Sequence, residues 1–148
     1  MRAVLQRVTA ARVTVGGEQT GAIGAGLLVL AGAAAGDGPE DVAWLAKKVL
    51  GLRVFADAAG KMNLSVQDVG GAVLVVSQFT LCAELSRGMR PSFTGALEPV
   101  AAKALIEDLV QTLSAQVPVA TGEFGASMLV ELANDGPVTL MLDSRAKP

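Results

Sequence analysis

The stretch Ala72-Val73-Leu74-Val75-Val76-Ser77-Gln78-Phe79-Thr80-Leu81 decides the architecture. Its apolar half lacks the polar–apolar alternation of a strand with one wet face, so a strand is predicted over Ala72 to Leu81, buried on both sides. Leu27 to Leu30 is a second run of the same kind. Strands apolar on both faces need a helical layer on one side and another cover, a second sheet layer or a partner subunit, on the other.

Outward from these runs, two segments carry helical periodicity. Asp37 stands three residues before Glu40, with Pro39 in the first turn, an aspartate form of the capping box. Val42, Leu45, Ala46, Val49 and Leu50 follow on one face. Glu98-Pro99 opens the second helix, whose stripe is Leu105, Leu109 and Leu113, flanked by Ile106 and Val110. Short strands are predicted over Ala3 to Val8, Ala11 to Val15 (before a Gly16-Gly17 turn), Leu52 to Phe55, and Val117 to Thr121. Two more, Ser127 to Ala133 and Val138 to Leu142, flank Asn134-Asp135-Gly136-Pro137, read as a turn. The expected fold is mixed α/β: one domain over residues 1–148, with a mixed, mainly antiparallel sheet and two main helices on one face.

Composition removes whole classes of chemistry. The chain has 148 residues, 51% hydrophobic and 18% charged, enough for a packed core. It contains no histidine, so no Ser-His-Asp triad, Cys-His dyad or histidine zinc site can form. Aromatics are 3% of residues, with no tyrosine and the single tryptophan Trp44, which argues against a stacking platform for single-stranded nucleic acid. The lone cysteine, Cys82, allows no intrachain disulfide and no thiolate metal cluster; set among Leu81, Ala83 and Leu85, it is read as a buried structural thiol. Neither a metal nor a cofactor is called for. MRAVLQRV lacks the apolar core of a signal peptide, and Ile23 to Ala35 is Gly-broken and too short to span a bilayer, so a soluble, cytoplasmic protein without membrane association is expected. A net charge of −2 gives no general pull on nucleic acid, leaving any RNA contact to a local basic patch.

Several segments offer chemistry. Ser77-Gln78-Phe79-Thr80 ends the valine-rich strand with two hydroxyls and an amide, which are able to donate hydrogen bonds to a developing oxyanion; the same residues also fit a plain strand end. A nucleophilic Ser77 or Thr80 needs a base, and no histidine exists to serve. Gly136-Pro137 reads either as a plain turn or as a side-chain-poor backbone corner acting as a steric gauge. Arg87-Gly88-Met89-Arg90-Pro91-Ser92-Phe93, with Lys47, Lys48 and Arg53, reads as a phosphate-binding patch or as scattered solubilising charge.

Together these segments resemble the D-aminoacyl-tRNA deacylase family, also called D-tyrosyl-tRNA deacylase. The resemblance runs through MRAVLQRVT, GAIGAGLLVL, Gly60-Lys61-Met62-Asn63-Leu64-Ser65-Val66, Ser77-Gln78-Phe79-Thr80-Leu81, Arg90-Pro91-Ser92-Phe93-Thr94-Gly95, Thr121-Gly122-Glu123-Phe124-Gly125-Ala126 and Asn134-Asp135-Gly136-Pro137-Val138-Thr139. SQFTL and NDGPVT are the family's two hallmarks, and both are unbroken. Cys82 stands where relatives often carry a larger residue, which changes packing behind the site; Met89 stands where a basic residue is common, which thins the basic loop.

The resemblance implies a homodimeric hydrolase of β/β/α layers that cleaves the ester between a D-amino acid and the terminal adenosine of tRNA, and also glycyl esters on the wrong tRNA. L-aminoacyl esters are rejected. Gly136 and Pro137, joined by a cis bond, would form the chiral gauge and enter the partner subunit's site. Ser77, Gln78, Phe79 and Thr80 would hold the ester and its oxyanion, partly through backbone N–H groups. Phe124 and Met128 would line the adenosine pocket, and Arg7 would fix the Gly-Pro corner. Thr80 as nucleophile and the substrate's own ribose 2′-hydroxyl are the two routes to the chemical step; the missing histidine favours the second. A non-catalytic binding protein and a general esterase are the competing classes.

Overall fold

A computed structural model describes residues 1–146. Strand β1, Arg2–Val15, is the spine. It pairs antiparallel along one edge with β8, Leu129–Asp143, and along the other with β3, Gly26–Gly32, and then β2, Glu18–Ile23. β3 pairs parallel with β6, Ala72–Ser77, and β6 parallel with β7, Val119–Thr121. The sheet is therefore mixed, and antiparallel wherever β1 takes part. A small hairpin, β4 (Phe55–Ala56) with β5 (Met62–Leu64), stands apart.

The two predicted helices are α1, Pro39–Gly51, and α2, Pro99–Ser114. Both cover one face. Leu27, Val29, Val73 and Val75 point toward Val42, Leu45, Val49, Leu105 and Leu109, while the alternate residues Leu28, Leu74 and Val76 meet Val8, Ala11 and Val13 of β1. The cover for the second face thus comes from the sheet itself. β1 bends from the first cluster, which holds Ala3 and Leu5, into the second, and β2 closes toward β7 until Gly21 leaves no room for a Cβ beside the Thr121 carbonyl. The layers are β/β/α, as the resemblance implied.

Several local expectations need correction. β1 is one strand rather than two, because it continues through exposed Thr9 and Ala10 by pairing with β8. β2 was not foreseen: its polar residues suit an exposed edge. β6 ends at Ser77, four residues short of the predicted Leu81, because Phe79–Cys82 turns into a 3-10 helix. Asp37 is not the α1 cap. Gly38 is, and Asp41 closes the box by accepting the Gly38 N–H at 2.9 Å. Asp37 is instead buried between the Met1 ammonium at 2.9 Å and Arg145 at 2.8 Å. Asn134 to Pro137 does not turn the chain between two strands; it is a wide bulge within β8, where Gln6 faces Thr139 and Val8 already faces Asn134.

Candidate active site

Where β3 and β6 end, the chain comes very close to itself. A Cβ on Gly32 would lie 2.4 Å from the Gln78 carbonyl, so only glycine lets the Ser77–Thr80 segment settle against β3. The Gln78 N–H donates to the Ala31 carbonyl at 2.8 Å, pinning the segment before the 3-10 turn begins. The turn's first bond is Leu81 N–H to Gln78 O. The amides of Phe79 and Thr80 precede it, where a helical turn leaves its N–H groups unpaired.

These residues form one end of a cavity of about 580 Å³, the size of small-ligand sites. Ser77, Gln78 and Phe79 line it together with Phe124 and Met128, and Thr80 is tied to that wall by the Gln78 side chain. The Gln78 amide nitrogen donates to the Thr80 hydroxyl oxygen. An amide donor takes up a lone pair of that oxygen and cannot accept its proton. The hydroxyl keeps its own proton for donation to another acceptor, and the chain has no histidine to take that proton away. Cys82 is buried behind the turn, and burial raises its thiol further above neutrality, leaving it inert as a nucleophile at neutral pH.

Sequence reading missed the opposite wall. It is the start of α2, with Leu97, Glu98, Pro99, Ala102 and Ile106. Glu98 caps that helix, accepting from Ala101 N–H at 2.6 Å and Val100 N–H at 3.0 Å, so its carboxylate is committed to the helix amides. Phe93 lies edge-on to Phe79, with centroids 5.1 Å apart, at the cavity's rim. An acidic residue before Pro marks a helix start in a sequence, but nothing in its spacing shows which cavity that start will face.

Gly136 and Pro137 lie elsewhere. They are exposed, their peptide bond is cis, and neither lines the cavity of their own chain. Arg7 holds the corner's approach: its Nε donates to the Asp135 carbonyl at 2.9 Å and lies 3.4 Å from the Asp135 carboxylate, while its Nη1 donates to the Val54 carbonyl. Asn134 brackets the corner, donating to Val138 O at 3.0 Å and accepting from Val138 N–H at 3.2 Å. Arg7 faces Leu27 at one end of β3 and the cavity opens at Ala31 to Ala33 at the other, about 13 Å along the strand. Lys47, Lys48 and Arg53 belong to the α1 end near Val54, so they form no single patch with Arg87 and Arg90.

Fold and cavity together define a class: a β/β/α protein with a histidine-free pocket of fixed hydrogen-bond donors at the end of a parallel strand pair. The family model described as D-Tyr-tRNA(Tyr) deacylase matches residues 4–143. D-aminoacyl-tRNA deacylases are similar over nearly the whole chain: 56% identical in Syntrophobacter fumaroxidans, covering 98% of each chain, and 58% identical in Chloroflexus aurantiacus, covering 97% of this chain and 91% of that one. Among solved structures, a c-Myc DNA Unwinding Element Binding Protein superposes with TM-score 0.94 at 42% identity, covering 99% of this chain and 100% of that one. A probable eukaryotic D-amino acid tRNA deacylase shares the fold, with TM-score 0.80 at 15% identity over 95% of this chain and 97% of the other. The chain belongs to the D-Tyr-tRNA(Tyr) deacylase family.

Proposed function

We propose that this chain hydrolyses the ester of D-aminoacyl-tRNA in the cavity at Ser77–Thr80, and that the Gly136-Pro137 corner of a second copy completes the site as its chiral gauge. As a member of the family, the chain is a hydrolase of D-aminoacyl-tRNA. The observation that carries the mechanism is the Gln78–Thr80 hydrogen bond, which sets the Thr80 hydroxyl as a donor. Thr80, with the amides of Phe79 and Thr80, would stabilise the ester oxyanion. The proton acceptor is then the substrate's own ribose 2′-hydroxyl system. Phe124 and Met128 suit the apolar faces of the terminal adenosine.

The corner's place in a partner rests on two features. It lies at the far end of β3 from its own chain's cavity, and β8, which carries it, pairs on one edge only and exposes Leu129, Leu132, Leu140 and Met141. A bare β8 edge with that apolar surface suits a second copy of the chain. Glycine places backbone oxygens where an L side chain would project, and a D side chain points away, so selection needs no favourable D contact. Glycyl esters, with no side chain to exclude, are substrates too. Among the described residues no helix is long and apolar enough to cross a membrane, and cytoplasmic activity follows from the substrate.

The test is single-turnover hydrolysis of matched D-, L- and glycyl-tRNA, with and without the ribose 2′-hydroxyl. D and glycyl esters should be cleaved, L-alanyl should not, and removal of the 2′-hydroxyl should abolish cleavage. Glycyl-tRNA as resistant as L-alanyl-tRNA would show that the pocket reads a D side chain positively. Binding without turnover would favour a purely nucleic-acid-binding role, such as the name of the similar c-Myc DNA Unwinding Element Binding Protein describes.

A further inference from the structure

We infer that the loop closed by Glu84 and Ser92 is a phosphate clamp for the single-stranded 3′ end of the RNA, with Arg87 and Arg90 as its contacts; the inference rests on the cavity's holding the terminal nucleoside. Most cations among the described residues are already engaged. Arg2 pairs with Asp143, Arg7 with Asp135, Arg12 with Glu131, Lys103 with Glu107 and Arg145 with Asp37, while Arg53 donates to Asn63. Lys47, Lys48 and Lys61 lie on α1 or beside the β4–β5 hairpin, toward the opposite end of the sheet. Arg87 and Arg90 are exposed on the loop that leads into Phe93 at the cavity rim, and neither has an ion pair or hydrogen bond among the described residues, whereas exposed Arg2, opposite Gly32, is held by the Leu81 carbonyl and Asp143.

The loop has the build of a clamp. Its base is a pair of backbone hydrogen bonds between Glu84 and Ser92, at 2.7 and 3.1 Å, and the next residue, Phe93, is part of the cavity rim against Phe79. RNA entering the cavity over that aromatic rim passes the base of the loop. The Glu84 carboxylate at the loop base accepts from the Ser86 N–H at 2.7 Å, and hydrogen bonding from the Ser86 side chain first and this N–H second lowers its pKa. The loop also exposes apolar surface, Met89 near its tip at 99% and Leu85 beside its base at 66%. Guanidinium forks match phosphate oxygens, and apolar side chains suit unstacked bases, which a paired duplex does not present. At a net charge of −2 the chain has no long-range attraction to a polyanion, so local contacts of this kind carry the binding.

Uncharged tRNA binding, measured by fluorescence anisotropy across a salt series, tests this without any chemical step. For Arg87→Ala/Arg90→Ala the slope of log K against log salt should fall in magnitude by about 1.4, two phosphates on a single strand, and the Kd at 0.15 M salt should rise about tenfold. Arg87→Lys/Arg90→Lys should recover most of the slope, and a blunt acceptor duplex lacking the single-stranded end should show no dependence on the two arginines. A slope unchanged from wild type, a loss that lysine does not recover, or equal effects on the blunt duplex would overturn the clamp. Hydrolysis of D-aminoacyl-tRNA by the wild-type protein is scored separately: its absence would sink the proposed function, while the salt slope still decides the clamp.

Discussion

At the scale of single residues, the account turns on Thr80. Its hydroxyl accepts from the Gln78 amide and has no base beside it, so Thr80→Ala should slow single-turnover hydrolysis by about 10²–10³-fold, the usual effect of losing one oxyanion donor, and leave measurable activity. A folded Thr80→Ala protein with no chemical step at all would mean that Thr80 is the nucleophile. The absence of histidine has a second consequence. The Cys82 thiol is raised by burial and the Glu98 carboxylate is occupied by the α2 amides, so the described residues place no imidazole or thiolate base in the cavity. The pH profile of the single-turnover rate should therefore show only the substrate's own α-ammonium ionisation, near pH 7.7–8.0 for an ordinary α-amine and without a second inflection. A bell-shaped profile with two protein groups between about pH 5 and 8 would contradict this. Which residues could act was legible from composition and the SQFT order. That Gln78 would aim at Thr80 was not, since a two-residue separation on a strand places side chains on one face only while the strand lasts.

At the scale of elements, the two-faced strands, both helices and their buried stripes could be read from the sequence because apolar periodicity is a local signal. Errors arose where a distant partner decides the outcome. Asn134-Asp135-Gly136-Pro137 carries every local mark of a turn, yet pairing with β1 keeps β8 running through it as a bulge held by Arg7 and Asn134. β6 ends early because of the close approach at Gly32. Gly32→Ala should therefore push the Gln78 carbonyl away and lower activity far more than its stability cost explains, checked by comparing kcat with Tm; wild-type kcat would show that the approach does not position the site. For α1, Asp41 rather than Asp37 closes the cap. Hydrogen bonding from Ser144 lowers the Asp41 pKa most, with help from the Gly38 N–H and the Met1 ammonium. A lowered carboxylate pKa adds stability above the unfolded value near 3.9, which is lost as pH falls through the folded pKa. Asp41→Ala should cost about 1 kcal/mol at pH 7, and that difference should shrink below about pH 4 in denaturant titrations. A constant difference down to pH 2 would show that the carboxylate's charge contributes nothing.

At the scale of the whole molecule, the cavity and the Gly136-Pro137 corner stand at opposite ends of β3, so one chain holds both parts of the proposed site but cannot join them. Their separation was not readable from motif order, because a motif names residues and says nothing about which end of a strand they reach. Intersubunit complementation measures the consequence directly. One variant, Gln78→Ala/Thr80→Ala, lacks the pocket donors. The other, Gly136→Ala, distorts the corner, since an added Cβ would lie 2.5 Å from the Val138 amide nitrogen. The first alone should be nearly inactive for want of donors, and the second because its displaced corner obstructs the partner's pocket. Co-expressed and co-purified, half of the dimers pair one of each, and each such dimer contains one site built from an intact pocket and an intact corner. D-aminoacyl-tRNA hydrolysis should return to about a quarter of the wild-type rate per chain, with D selectivity restored. Mixed dimers as inactive as their parents would contradict a site shared between two chains.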